Sequence, residues 1–192
     1  MIQSIVLALS MLLGNPAADA VKLEVKTEAS SIKWTGAKVG GSHTGALQLK
    51  EGNLTMENGL LTGGSFIIDM TTITNEDLTG EYQGKLVGHL KSDDFFGVAT
   101  FPTATFVITE SIPQGTGKYK ITGDLTIKGI TKQIKFPATV TEENGAYTAN
   151  ADITVDRSEF NVKYGSGSFF DDLGDKVIYD DFNLAVSLSV SK

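Results

Sequence analysis

The side chains best equipped for chemistry in this sequence are few and scattered. The two histidines, His43 and His89, fall in different elements and have no second nitrogen or carboxylate at metal-ligand spacing. No metal site is predicted, and His89 is assigned to capping or packing a short helix rather than to proton transfer. Arg157 follows Asp156 at the end of an alternating segment, where a fixed guanidinium could grip a phosphate or a carbonyl oxygen. The competing and favoured reading is an ion pair at a rim with Asp94, Asp69 or another carboxylate. Asp171-Asp172-Leu173-Gly174-Asp175, with Asp180 and Asp181 close by, lacks the alternate spacing and terminal Glu of a calcium loop and reads as a solvated loop. Gly165-Ser166-Gly167-Ser168 misses the nucleophile-elbow spacing, and Gly115-Thr116-Gly117-Lys118 lacks the full phosphate-loop pattern. With no cysteine, thiol catalysis and disulfides are unavailable as well. These residues point away from an enzyme.

Composition narrows the classes further. The formal net charge is −7, and no Lys/Arg cluster is interleaved with aromatics, which argues against nucleic acid as a partner. Stable contact with anionic membrane surfaces is disfavoured for the same reason, although transient membrane contact stays open. The chain has 192 residues, 41% of them hydrophobic and 20% charged, which suits one domain with one core. Residues 1–20 read differently from the rest. An apolar run over 5–13, too short to span a bilayer, is followed by Asn15, Pro16 and the small-residue site Ala18-Asp19-Ala20. This predicts a secretory signal peptide over 1–20, although its n-region carries no Lys or Arg, and a mature domain over 21–192. Oligomeric state is left open, a dimer included.

The elements that must position these residues are strands. Tyr119, Ile121, Gly123, Leu125 and Ile127 alternate with polar neighbours across residues 118–128, the period of a strand with one wet face. The same rule runs through 147–156 and 182–190, and in weaker form through 32–38, 44–50, 60–70, 103–111 and 133–141. Turn signals at Glu51-Gly52-Asn53, Glu57-Asn58-Gly59 and Glu143-Asn144-Gly145 separate several of these. An antiparallel meander of about eight strands results. It hides its edges by closing into a barrel, though a two-sheet sandwich satisfies the same pattern. Residues 78–92 lose the period of two, and Leu86, Val87 and Leu90 fall on one helical face, which predicts a short helix. Phe95, Phe96, Val98 and Phe101 follow it, so this connection must pack on the sheet or across its mouth as a lid. On the inward face, Gly123, Ala149 and Ala151 lie among Phe106, Tyr119, Ile134, Phe136, Phe182 and Leu184. Small inward residues either leave a cavity or are filled by facing aromatics, and alternation does not choose between the two.

Several blocks in fixed order resemble one known family. They are Ser31-Ile32-Lys33-Trp34 with His43-Thr44-Gly45, then Gly63-Gly64-Ser65-Phe66-Ile67-Ile68-Asp69-Met70, then His89-Leu90-Lys91-Ser92-Asp93-Asp94-Phe95-Phe96. Phe101-Pro102-Thr103-Ala104-Thr105-Phe106, the run Gly123-Asp124-Leu125-Thr126-Ile127-Lys128-Gly129-Ile130-Thr131-Lys132, and Asp156-Arg157-Ser158-Glu159-Phe160 complete the series. Together they resemble the YceI-like family from residue 28 to the C-terminus. The resemblance implies an all-β, extended, lipocalin-like antiparallel barrel with a helical segment. It further implies a tunnel for a polyisoprenoid, isoprenoid quinone or other long-chain lipid, no cofactor beyond that ligand, and a periplasmic or secreted location. The sequence departs from the commonest family pattern at Trp34-Thr35-Gly36 and Gly41-Ser42-His43, and over the longer, acidic stretch 164–181. The tunnel lining expected on this basis comprises Trp34, Phe66, Ile68, Leu86, Leu90, Phe95, Phe106, Tyr119 and Ile121 from the first part of the chain. From the remainder it takes Gly123, Leu125, Ile134, Phe136, Ala149, Ala151, Phe160, Phe182 and Leu184, with Arg157, His43 and His89 as polar groups at the rim or head group. Two rival functions are a stress-related partner-binding module with a filled core and a lipid-modifying enzyme.

Overall fold

The computed structural model describes residues 20–191, so the expected leader, apart from Ala20, lies outside the described residues. Nine strands form: β1 (Val21–Val25), β2 (Ser31–Lys38), β3 (Gly41–Glu57), β4 (Leu60–Asp69), β5 (Thr103–Pro113), β6 (Lys118–Ile127), β7 (Ile130–Glu143), β8 (Ala146–Asp156) and β9 (Ile178–Ser191). One helix, α1 (Gly80–Lys91), interrupts them between β4 and β5. All neighbours are antiparallel in the order β1-β3-β2-β9-β8-β7-β6-β5-β4, and pairing of β3 with β4 closes the ring. β1 and β2 occupy one position. Both lie between β3 and β9, with the 3-10 turn Thr27–Ala29 separating the pairs Val25↔Val190 and Ser31↔Ser187. The result is an eight-stranded closed barrel, not a sandwich.

Local chemistry explains the connections. Asn58-Gly59 and Asn144-Gly145 both adopt positive φ, at 52° and 77° and at 52° and 80°, as two-residue hairpin turns require. The third expected turn is a correction: Glu51-Gly52-Asn53 lies inside the 17-residue strand β3. There the register with β4 slips between Leu49 and Glu51, a bulge that bends the strand around the barrel. Gly52 is needed because a Cβ on it would stand 2.8 Å from the Phe66 ring. β1 is an addition, since no strand was expected before Ile32.

The alternation sorts residues cleanly. On β6, Tyr119, Ile121, Gly123, Leu125 and Ile127 are buried inward, while Lys118 and Lys120 are exposed. Apolar inside and charged outside is the reverse of a transmembrane barrel. No helix among the described residues is long and apolar enough to cross a membrane.

The two ends differ. At the end carrying the Asn-Gly hairpins, Tyr119, Ile121, Tyr147 and Val190 fill the lumen and are no more than 8% exposed. At the other end, a strap over residues 73–77 crosses the mouth along β3. Thr74 N–H donates to the Ala46 carbonyl (3.0 Å), Glu76 N–H to the Thr44 carbonyl (2.8 Å), and the Trp34 Nε1–H to the Thr74 carbonyl (3.0 Å). Asn75, 2% exposed, continues the tie: its Oδ1 accepts from Leu78 N–H and its carbonyl from Gln83 of α1. The strap can lie this close only because position 45 is glycine, since a Cβ there would sit 1.9 Å from the Thr74 carbonyl oxygen. Gly45→Ala should therefore lift the strap, costing roughly 1–3 kcal/mol in urea denaturation and exposing the Thr74 and Glu76 amides to hydrogen exchange. Unchanged protection of those amides would contradict this.

Candidate functional site

An apolar cavity of about 200 Å³ runs through the barrel beneath the strap. Its cause is visible in the sizes of facing side chains. Ala104 on β5, Ala138 on β7, and Ala149 and Ala151 on β8 line it and reach only a short way in. Consequently Ile134, Phe136, Ile153, Phe182, Leu184 and Val186, all inward-facing, remain only half-buried while lining the cavity. A filled core would bury such residues completely. Phe66, Phe106 and Phe136 stand in a row across the floor, with ring centroids 6.3 and 5.5 Å apart. Phe95 and Phe96 roof it, in edge contact at 5.0 Å, together with Leu90 from α1.

Most of the expected lining residues do face this space: Trp34, Phe66, Ile68, Leu90, Phe95 and Phe106 from the first half of the chain. Leu125, Ile134, Phe136, Ala149, Ala151, Phe182 and Leu184 join them from the second. Five others stand elsewhere. Gly123 opens no space, because the Phe106 ring leans over it and would stand 2.3 Å from an added Cβ. Tyr119 and Ile121 belong to the packed end, the tyrosine hydroxyl accepting from Leu61 N–H at 3.4 Å. Leu86 packs against the core on α1 without reaching the cavity, and Phe160 is fully buried behind it. Met70, Ile73, Phe96, Ala104, Ala138, Ile153 and Val186 line the cavity unexpectedly. Ala104, Ala138, Ile153 and Val186 obey the same alternation as their neighbours, whereas Ile73 sits on the strap and carries no periodic signal.

Arg157, the chain's only arginine, is 2% exposed at the roofed end. It donates to three main-chain carbonyls: Val162 at 2.8 Å, Ile178 at 2.9 Å and Tyr179 at 3.2 Å. Its ion-pair partner is Asp180, at 3.3 Å, rather than Asp94 or Asp69. Asp180 Oδ1 makes no aligned hydrogen bond, so the pair is Coulombic, while Oδ2 accepts from Ser168 Oγ at 2.6 Å. The guanidinium also covers the Phe95 ring at 5.3 Å. Burial pulls its pKa below the ordinary guanidinium value, and Asp180 and Asp156 oppose that pull. Arg157 thus pins the segment 157–166 and the start of β9 to the roof.

The histidines part company. His43 Nδ1 lies 2.7 Å from Asp77 Oδ2 on the strap, a carboxylate 34 positions away that no local spacing reveals. That hydrogen bond, followed by one from Thr44 N–H, holds the Asp77 carboxyl at a pKa of about 2. His89 packs its ring on Tyr164 at 4.2 Å and on Phe95 at 5.7 Å. Neither histidine lines the cavity. Among the described residues, no group of three or more His, Cys, Asp or Glu side chains is placed to hold a metal ion.

Two outcomes follow. Arg157→Ala leaves the buried Oδ1 of the half-buried Asp180 without its partner and frees three carbonyls, and should cost about 3–5 kcal/mol in chemical denaturation; a loss below roughly 1 kcal/mol would show the clamp to be unimportant. The folded pKa of Asp77 lies below its unfolded value, so its stabilisation is complete at neutral pH and is lost as pH falls from roughly 4 toward 2. Asp77→Asn should flatten the acid limb of a stability–pH curve in that window, and an unaltered curve would rule out this contribution.

Comparison with known proteins places this architecture. A family model described as the YceI-like domain matches residues 23–190. A UPF0312 protein of Shewanella denitrificans is 30% identical over 152 residues, which span 77% of this chain and 75% of that one. The crystal structure of BcnA from Burkholderia cenocepacia is similar with a TM-score of 0.68 at 25% identity, covering 88% of this chain and 99% of BcnA. A polyisoprenoid binding domain from Saccharophagus degradans, implicated in plant cell wall breakdown, has a TM-score of 0.64 at 13% identity, covering 88% and 97% of the two chains. At that identity the likeness to the last is one of fold. A closed eight-stranded barrel with this matched core identifies the chain as a member of the YceI-like domain family.

Proposed function

We propose that this protein is an exported, periplasmic carrier that sequesters the tail of one long-chain lipid, a polyisoprenoid, an isoprenoid quinone or a similar molecule, inside its barrel. The observation that carries this reading is the cavity of about 200 Å³ walled by aliphatic and aromatic side chains. An unfilled apolar volume of that size costs on the order of 5 kcal/mol, a large share of the stability of an ordinary domain. A hydrocarbon tail offsets it at about 0.8 kcal/mol for each methylene removed from water. The fold shared with a polyisoprenoid binding domain supports the same class of ligand. Export rests on the apolar run and small-residue site of residues 1–20.

Binding rather than turnover is favoured by how the polar groups are used. The donors of Arg157 are directed at carbonyls, and His89 is held between aromatic rings. Neither is free to act as a general acid or base on a cavity ligand. Apolar walls discriminate by length and girth, so related tails should bind with similar affinity. Ala151→Phe places a ring in the cavity. It should abolish binding of farnesol in a titration while the protein keeps its far-ultraviolet circular dichroism. Retained farnesol binding by a folded Ala151→Phe protein would contradict the proposed seat.

A further inference from the structure

The barrel wall is not equally closed all the way round. β7 and β8 pair only from Ala138↔Ala151 to Glu143↔Ala146. Beyond that point residues 130–137 of β7 remain paired with β6, and residues 152–156 of β8 with β9, but not with each other. The cause is in the sequence. Continuing the register would set Pro137 opposite Asp152. Val140 N–H donates to the Gly117 carbonyl on the β6 side, so by alternation position 137 turns its main-chain groups toward β8. Proline has no N–H to donate there, and the ladder stops.

A second interruption offers a contrast. β4 and β5 pair only over Gly64–Asp69, leaving residues 60–63 apart from 109–113, but there the Tyr119 hydroxyl plugs the space against Leu61 N–H. At the β7/β8 fork the residues at the crotch are Ala138 and Ala151, too small to plug it. Phe136, Ala138, Asn150 and Ala151 line both the inner cavity and an outer groove of about 630 Å³, so the two spaces meet at the fork.

The outer groove differs in charge from the chain around it. Lys118, Lys120 and Lys135 line it against one carboxylate, Asp152, in a protein of net charge −7. Among the described residues, none of the three lysines has an ion-pair partner within 4.0 Å. Addition of a foreign strand to the free edge of β7 is disfavoured by Pro137, which has no N–H to offer a new partner.

Building on the lipid-carrier reading, we infer that the barrel opens sideways between β7 and β8, and that the ligand's acidic head group, a phosphate or carboxylate, lies outside in the groove of Lys118, Lys120 and Lys135. The tail passes through the fork over Ala138 and Ala151. Arg157, buried at the roofed end of the cavity and engaged with carbonyls, is not the head-group site.

The test compares farnesyl phosphate, farnesol and inorganic phosphate by calorimetric titration. It uses the whole protein and the triple variant Lys118→Gln, Lys120→Gln, Lys135→Gln. The protein should prefer farnesyl phosphate to farnesol by roughly tenfold, the preference should shrink at high salt, and the triple variant should lose it while binding farnesol as before. A preference that survives in the triple variant would overturn the inference and move the head group elsewhere. Equal binding of the two farnesyl compounds to the native protein would overturn it too. Inorganic phosphate competing as well as farnesyl phosphate would also defeat it, by showing a free-anion site unrelated to the cavity. Binding of neither farnesyl compound would instead bring down the carrier reading on which it rests.

Discussion

Closure of the sheet into a ring of eight positions is the constraint from which the rest of this molecule follows. Once strand number sets the circumference, the lumen has a given width, and only the size of every second side chain decides whether it is solid or hollow. At the end with the Asn-Gly hairpins, Tyr119, Ile121, Tyr147 and Val190 are large enough to meet, and the lumen is packed. Further along, Ala138, Ala149 and Ala151 are too short to close the lumen, and a cavity remains. The same backbone geometry therefore yields a plug and a chamber a few residues apart.

Polar groups inside the molecule are spent on holding the roof. Arg157 gathers three carbonyls from two segments that the chain separates by more than a turn, and Asn75 joins the strap to α1. Because these donors and acceptors satisfy one another, little is left to face the chamber, and its walls stay apolar. On the proposed function, a chamber of that kind recognises the length and thickness of a tail. The proposed site for discrimination by hydrogen bonding lies outside it, where the wall is interrupted beside Pro137 and lysines collect.

The strands were legible because one wet face and one dry face impose a period of two that nothing else in the chain imitates. Tyr119 to Ile127 and Tyr147 to Val155 carry it without interruption. What stayed hidden depends on partners far away in sequence. Glu51-Gly52-Asn53 has turn chemistry but serves as the site of a bulge under Phe66, since tertiary bending overrode a local preference. Gly123 looked like vacant space, yet the ring that covers it belongs to another strand, whose tilt alternation does not report. In the same way Asp77 for His43 and Asp180 for Arg157 are separated from their partners by 34 and by 23 positions, beyond any spacing rule. Pro137 was readable as a ladder breaker only once the register showed which way its nitrogen points.

The central proposal is that the chamber takes up a lipid tail, and weighing the protein intact asks that question directly. Native mass spectrometry of protein recovered from an exporting host should give a mass above that of the denatured chain by one long-chain lipid, recoverable by organic extraction. Identical native and denatured masses, with no lipid acquired on incubation with vesicles, would contradict the account.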